Sequence, residues 1–488
     1  MILAIDQGTT GSRAFIFDDQ GQVVTSAYSE FTQYFPQPGW VEHDAAEIWQ
    51  VTERVCREAL AEAGISGEQL QAIGITNQRE TAVAWDRTTG EPLHRAIVWQ
   101  DRRTAERCDE LRAIGRESVV RERTGLVIDA YFSGTKYAWL FRHAGVPADA
   151  AVGTIDSWLL FKLTGEHATD YANASRSMLF DIRSCVWDPD LCDLVGVPIG
   201  ALPEARPNLS SFGHTTLFGG SVPVTAMVGD QQGALYGQAC HRPGEAKNTY
   251  GTGNFLLQNA GTTAPVITPG LITTVAWADD SAVTYALESS IFVAGSAIQW
   301  LRDGLGIIEH AAESEGLAAS LDGNEGVYFV PALVGLGSPH WDPYARGTIV
   351  GLTRGTSRAH IVRAALEAIA YQSVDAVRAQ SAASGAALPE LRVDGGATAN
   401  VWLMQFQADL LGVPVVLPQI ADTTALGAAY MAGVASGAWT VEDVGSMWTE
   451  QQRYEPQMST DQAESLLAGW SRAVERSRGW ADPAAVQA

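Results

Sequence analysis

Met1-Ile2-Leu3-Ala4-Ile5-Asp6-Gln7-Gly8-Thr9-Thr10-Gly11-Ser12-Arg13-Ala14-Phe15-Ile16-Phe17 opens the chain and decides how it is read. An apolar strand, Met1 to Ile5, runs into an acid, Asp6. A tight turn of small and hydroxyl-bearing residues follows, Arg13 stands just beyond it, and a second strand runs from Ala14 to Phe17. Such a turn can aim several backbone N–H groups and two hydroxyls at a phosphate chain. Asp6 is placed to hold a hydrated Mg²⁺, which prefers carboxylates and water. A plain β-hairpin with polar turn residues uses the same residue types. The rest of the chain decides between the two.

Working outward, residues 1–28 read as a three-strand meander with a turn at Asp18-Asp19-Gln20-Gly21. Asp44 caps a helix, with Glu47 three positions on as a capping box. Ile48, Val51, Val55 and Ala59 recur at helical spacing and predict its buried face. Residues 71–76 return to strand, 81–86 with Gly90 predict a hairpin, and 101–114 and 133–147 predict helices. A further strand approaches Val228-Gly229-Asp230. The second half restarts the pattern. Asn248-Thr249-Tyr250-Gly251-Thr252-Gly253-Asn254-Phe255 is again strand, small-residue turn and strand, and Leu391-Arg392-Val393-Asp394-Gly395-Gly396 leads into a helix. Alternating strands and helices predict an α/β fold. The weak internal repeat predicts two related domains facing a cleft, 1–239 and 240–488. Asp461 to Trp480 predicts an amphipathic helix, and the Ala-rich end after Pro483 is expected to fray.

The 488 residues suit two large domains rather than one core. A formal net charge of −24 argues against nucleic-acid binding, which needs clustered Lys and Arg. An anionic ligand would need local help from a cation and backbone dipoles. No apolar stretch is long enough to predict a transmembrane helix. The chain enters its first strand at Ile2 without a basic leader, so a cytoplasmic location is expected. The scattered cysteines, Cys56, Cys108, Cys185, Cys192 and Cys240, suit reduced thiols rather than a disulfide framework or a zinc site. Lysine occurs only at Lys136, Lys162 and Lys247, and this scarcity suggests no function by itself.

No Walker P-loop occurs, because no Gly is followed by Lys. The candidate phosphate elements are the Asp6–Arg13 turn, Gly251-Thr252-Gly253, and Gly395-Gly396 before a helix whose N-terminus would suit an adenosine or α-phosphate. A second set suits a small polyol. Arg79 donates hydrogen bonds and adjacent Glu80 accepts them, matching a hydroxyl that needs both; a solvated surface ion pair would look the same. Trp99 and Phe255 offer apolar faces to carbon, and Tyr131 a hydroxyl. Asp230, between an apolar strand and a small-residue helix start, could take a hydroxyl proton, or simply cap the helix.

These residues are recognisable together. Asp6-Gln7-Gly8-Thr9-Thr10, Ile75-Thr76-Asn77-Gln78-Arg79-Glu80-Thr81, Ile97-Val98-Trp99-Gln100-Asp101-Arg102-Arg103-Thr104 and Tyr131-Phe132-Ser133-Gly134-Thr135-Lys136 carry the resemblance in the first half. Gly229-Asp230-Gln231-Gln232, Asn248 to Gly253, Ile298 to Arg302, Trp341 to Gly347, Asp394 to Ala397 and Thr424 to Ala429 extend it to about Trp439. The chain resembles the FGGY carbohydrate kinase family, and Arg79-Glu80 with Trp99 and Tyr131 resembles its glycerol-phosphorylating type rather than its sugar kinases. The resemblance implies an actin-like ATPase fold, two ribonuclease-H-like domains around a central cleft. It implies ATP-dependent phosphorylation of glycerol to sn-glycerol 3-phosphate, with Asp230 as base. By the same resemblance Arg79, Glu80, Tyr131, Asp230 and Gln231 bond the polyol, and Trp99 and Phe255 pack on its carbons. Thr9, Thr10, Gly11 and Arg13 match positions at the ATP phosphates; Thr252, Gly295, Gln299, Gly396 and Asn400 match the remaining nucleotide contacts. Asp6 organises Mg²⁺ through water, and a homo-oligomer, dimer or tetramer, is implied.

Some positions depart from the pattern. Gly11 stands where serine is usual, and Asn254 where cysteine is frequent. Leu217-Phe218-Gly219-Gly220-Ser221 lacks the Gly-Gly-Thr-Arg loop that binds fructose 1,6-bisphosphate in some bacterial members. Two other readings stay open at this point. One is a kinase for another small polyol or ketose; the other is an actin-like or chaperone-like ATPase, which the fold alone permits.

Overall fold

A computed structural model describes residues 1–481; the Ala-rich end after Pro483 lies outside them. Two sheets organise the chain. The first has six strands in the order His214–Thr215, Val222–Gly229, Ala72–Asn77, Ile2–Gln7, Gly11–Phe17, Val23–Glu30. The second has seven, in the order Ile272–Ala278, Val283–Ile291, Asn254–Gly261, Ala246–Tyr250, Leu391–Asp394, Val415–Pro418, Glu450–Tyr454.

The repeat seen faintly in the sequence is a repeat of topology. In each sheet antiparallel strands lead to a central strand, which pairs in parallel with the next core strand; that strand pairs in parallel with a third, and an antiparallel edge strand closes the sheet. The Ile272–Ala278 strand is the second sheet's addition. The turn after Ile2–Gln7 and the turn after Ala246–Tyr250 therefore occupy equivalent places.

Alternation along the opening strand feeds two cores. Leu3 and Ile5 join Ala14, Ile16 and the apolar stripe of the helix Ala45–Ala63, including Ile48, Val51, Val55 and Ala59. Each of the Leu, Ile and Val side chains, fully buried, contributes roughly 1.5–3 kcal/mol. Ile2 and Ala4 face the other way, onto the helix Thr423–Ala435. That helix is apolar around its whole circumference, as one packed on all sides must be. It comes from the second half of the chain yet lies on the first sheet. Its carbonyls come so close to Gly74 and Gly237 that a Cβ there would sit 2.2 and 2.1 Å from Ala428 O and Thr423 O. The helix Asp230–Gly237 runs beside it and touches strands of both sheets.

Several local expectations need correction. Asp44 caps its helix by accepting from the Ala46 and Glu47 N–H groups, but Glu47 does not close the box; its carboxylate instead accepts from Thr32 N and Oγ1. The strand Val83–Trp85 makes its ladder with Ala151–Gly153, while Trp85 only bridges to Pro92. The helix predicted from 101 begins at Ala105, because Asp101 turns the chain by accepting from Arg103 N and Val41 N. The next runs Ser133–His143 rather than to 147, stopped by Gly145 at positive φ and by Pro147. The last helix is Thr460–Ser477, capped by Ser459. Among the described residues no helix is long and apolar enough to cross a membrane.

Candidate active site

The strand Ala72–Asn77 delivers Arg79 and Glu80 to the space between the sheets. Successive residues of a strand point to opposite faces. Glu80 escapes this with φ at 60°, a left-handed conformation that costs a non-glycine residue of order 1–3 kcal/mol. Both side chains then enter one cluster, Arg79 Nε lying 3.8 Å from Glu80 Oε1. Both are buried, so the surface-pair alternative does not hold. Arg79 Nη1 donates to Glu288 at 2.6 Å and to Gln232 at 3.1 Å, and Nη2 donates to the Tyr131 hydroxyl at 3.3 Å. Arg176 donates to Glu80 at 2.6 Å and to Glu288 at 2.9 Å.

Register explains why Glu288 is there. Lys247 and Glu288 both stand opposite Leu257, and Thr249 and Ser290 both stand opposite Phe255. With a period of two, Lys247, Phe255 and Glu288 share the sheet face turned to the Asp230–Gly237 helix. Lys247 Nζ donates to Gln231 and, at 2.7 Å, to Thr249 Oγ1. Three cations, Arg79, Arg176 and Lys247, thus face three carboxylates, Glu80, Asp230 and Glu288. Pairing avoids the heavy cost of an uncompensated buried charge. Burial alone would raise the Glu288 carboxyl, but Arg176 and Arg79 overcome it and hold it at about 2. Burial wins at Glu80, whose carboxyl is raised, and it lowers Lys247 to about 8. The Tyr131 phenol is also raised by burial, so it keeps its proton to donate.

Asp230 is the first residue of its helix, not the cap; Gly229 holds the cap position. Its Oδ1 accepts from Gln231 N at 2.7 Å and lies 3.1 Å from Arg79 Nε. Oδ2 has no protein partner among the described residues, and the side chain is 32 % exposed. One oxygen is fixed and the other is open to a ligand. Trp99 stands across from this group, edge-on to Tyr131 at 5.8 Å, and its indole N–H donates to Thr9 Oγ1 at 3.0 Å. The polyol set and the first turn are therefore physically joined.

At that turn Gly8 N donates to Gly11 O at 3.0 Å. Thr10 is exposed. Arg13 pairs with Asp422, the residue before the helix Thr423–Ala435. The Asp6 carboxylate makes no hydrogen bond to protein among the described residues. Burial pushes its carboxyl up to about 7; Arg13 lowers it, while Asp230 and Asp422 raise it further. An unpartnered acid beside two more carboxylates fits a hydrated Mg²⁺, which is held by one or two carboxylates with water and phosphate. Among the described residues no three His, Cys, Asp or Glu cluster into a protein-only metal cage.

The remaining candidates gather at the equivalent ends of the second sheet. Thr252 is exposed and its carbonyl accepts from Ala294 N and Ser296 N, tying the turn to the start of the helix Gly295–Asp303. Gly295 leaves no room for a side chain, since a Cβ would sit 2.6 Å from Gly251 O. Gln299 projects from that helix into solvent. Gly395, at φ 92°, lies against Tyr250, where a Cβ would meet Tyr250 O at 2.4 Å. Gly396 is exposed, and the Asn400 side chain caps the helix Val401–Leu411 by accepting from Leu403 N while donating to Ser314. A cavity of about 600 Å³ opens there, lined by Gly395, Gly396, Thr398, Leu417 and Asp422 among others.

Arg176, Gln232, Lys247, Glu288 and Asp422 were not among the sequence candidates. Lysine scarcity, read as suggesting no function, was the one sequence feature that could have drawn attention to Lys247. Of the three lysines, Lys136 and Lys247 are wholly buried, and Lys136 holds the Tyr131 loop by donating to the carbonyls of Tyr131 and Phe132.

Residues 1–237 match the N-terminal domain of the FGGY family of carbohydrate kinases, and residues 246–436 match its C-terminal domain. The chain is 53% identical over 490 residues to "Glycerol kinase 2" of Thermotoga maritima, covering 98% of this chain and 99% of that protein. It is 54% identical over 492 residues to the glycerol kinase of Deinococcus radiodurans, covering 99% and 98%. Among solved structures, Plasmodium falciparum glycerol kinase with ADP matches with a TM-score of 0.92 at 36% identity, covering 98% of each chain. The fold is the two-domain, actin-like α/β fold of these kinases, and the chain belongs to the FGGY family of carbohydrate kinases.

Proposed function

We propose that this protein transfers the γ-phosphoryl group of ATP to a terminal hydroxyl of glycerol, giving sn-glycerol 3-phosphate and ADP. The observation that carries the reading is the meeting of Arg79, Tyr131 and the free oxygen of Asp230 in one buried, charge-balanced cluster joined through Trp99 to the Thr9 turn. Full-length similarity to glycerol kinases supports it.

In this reading Arg79, Glu80, Tyr131 and Gln231 orient the polyol, and Trp99 and Phe255 cover its carbons. Asp230 Oδ2 accepts the proton of the primary hydroxyl as that oxygen forms its bond to phosphorus and the bond to the ADP oxygen breaks. Thr9, Thr10, Gly11 and Arg13 bind the phosphate chain. Thr252, Gly295, Gln299, Gly396 and Asn400 line the nucleotide's other end. Arg13 would exchange its pairing with Asp422 for phosphate oxygens. Asp6 would hold Mg²⁺ through water; bound there, the ion offsets charge on the transferring phosphoryl group. A polymerising or chaperone ATPase has no use for the Arg79–Asp230 group. The residue ranges 1–239 and 240–488 are proposed as the polyol-bearing and nucleotide-bearing halves.

A coupled assay of ATP consumption over glycerol, erythritol, xylulose and gluconate tests this. Turnover with glycerol at the highest kcat/KM is expected. Preference for a ketose or an aldonate would replace the substrate, and alcohol-independent hydrolysis at full rate would replace the reaction class.

A further inference from the structure

Gly11 ends the phosphate turn without a side chain, and another residue fills the space. A Cβ built on Gly11 would lie 2.6 Å from Tyr28 Cε2, 2.7 Å from Tyr28 Oη and 2.7 Å from Ser29 O. The strand ladder accounts for this. Arg13 pairs with Tyr28 and Gly11 with Glu30, two register positions along on the same face, so the Tyr28 ring has only to lean along the ladder to cover Gly11. The Arg13 guanidinium lies over the same ring, 5.1 Å from its centroid. Asp6 pairs with Arg13 from the other side and so shares this face. The ring is held between backbone and guanidinium, yet Tyr28 is 47 % exposed. A phenol suits such a place, with a packed edge and a polar tip in solvent.

We propose that Tyr28 is a ligand of the nucleotide phosphates: its hydroxyl donates a hydrogen bond to the phosphate chain, from the side-chain space that Gly11 leaves empty. The inference rests on the ATP-dependent reading above and adds a residue to it. A side chain at residue 11 would meet both the Tyr28 ring and Ser29 O, so the space beside the turn belongs to Tyr28, and without it the turn would present only backbone there.

Calorimetric titration of the full chain with ADP and with adenosine, which has no phosphate, tests this. Tyr28→Phe keeps the ring against Gly11 and Arg13 and removes only the donor. It is expected to weaken ADP about tenfold, the effect of losing one hydrogen bond to a charged group, and to leave adenosine within about twofold. ADP binding unchanged by Tyr28→Phe overturns the proposal. Equal weakening of ADP and adenosine also overturns it, since Tyr28 would then act on the nucleoside or through the fold. The two failures are separable. Wild-type protein that binds ADP but phosphorylates no alcohol fails the functional reading, and wild-type protein that phosphorylates glycerol while Tyr28→Phe binds ADP normally fails only this one.

Discussion

Arg79 and Glu288, 209 residues apart, form a two-pronged ion pair at 2.6 and 3.4 Å with side chains 1 % and 0 % exposed. One comes from the loop after a first-sheet strand and the other from a second-sheet strand. The pair fastens the two sheets where the proposed polyol site lies, and Arg176, just after the short helix Tyr171–Ala174, secures the same carboxylate. Removing one partner of a buried pair leaves the other charge uncompensated, which costs about 3–5 kcal/mol. Glu288→Ala strands two arginines. It is expected to lower the free energy of unfolding read from urea titration by about that amount, and the midpoint with it, whereas Glu288→Gln, which keeps shape and an acceptor, costs less. An unchanged midpoint for Glu288→Ala would show that the cluster does not hold the sheets together.

Asp230 has one oxygen fixed by Gln231 N and Arg79 and one left open. Asp230→Asn keeps the acceptor toward Gln231 N but lacks the basicity to take a proton. Loss of a general base lowers rate by about 10²–10⁴-fold. The expected signature is a kcat fall of that order with glycerol affinity, measured by direct binding, changed far less. Near-normal turnover would remove Asp230 from the chemistry.

The features legible in the sequence were those that local chemistry demands. A turn approached closely by other backbone needs glycine, so Gly251 to Gly253 and Gly395 stood out. A helix start needs a cap, so Asp44 stood out. Glu47 misled because a capping box and a tether to Thr32 use the same carboxylate, and only the path of the preceding strand chooses between them. Arg79 and Glu80 were visible as a pair but not as buried, since burial depends on Arg176 and Glu288 arriving from 96 and 209 residues away. Glu288 sits in Tyr285-Ala286-Leu287-Glu288-Ser289-Ser290 with no motif around it. Its place follows from cross-strand register, which one strand's sequence does not carry. Lysine scarcity carried no functional reading in the sequence; the place of Lys247, donating to Gln231 inside the cluster, came only from the fold.

Trp99 links the two halves of the proposed reaction. Its indole N–H donates to Thr9 Oγ1 at 3.0 Å while its ring stands edge-on to Tyr131. Trp99→Phe keeps an aromatic face for the polyol and frees the Thr9 hydroxyl. A neutral hydrogen bond is worth about 0.5–1.5 kcal/mol net. The KM for ATP is therefore expected to rise about two- to tenfold, with the KM for glycerol moving less. A change confined to glycerol would mean that the Thr9 contact does not position the turn.

Asp6 carries the pH dependence. Burial lifts its carboxyl from an ordinary 3.8 to about 7, so the folded protein holds this proton more tightly than the unfolded chain. Below about pH 4 both states are protonated and the carboxyl costs nothing. As pH rises toward 7 the unfolded chain ionises first, so stability falls across that window, and above it the penalty is complete and constant. Asparagine has no proton to lose. Nucleotide-free, magnesium-free Asp6→Asn should therefore melt above wild type at neutral pH and converge on it as pH falls, while losing most phosphorylation activity. Melting curves of both proteins between about pH 5 and pH 8 check the sign. A gap that stays flat, or that widens toward acid, would mean that Asp6 is not the strained, unpartnered acid assigned to the metal.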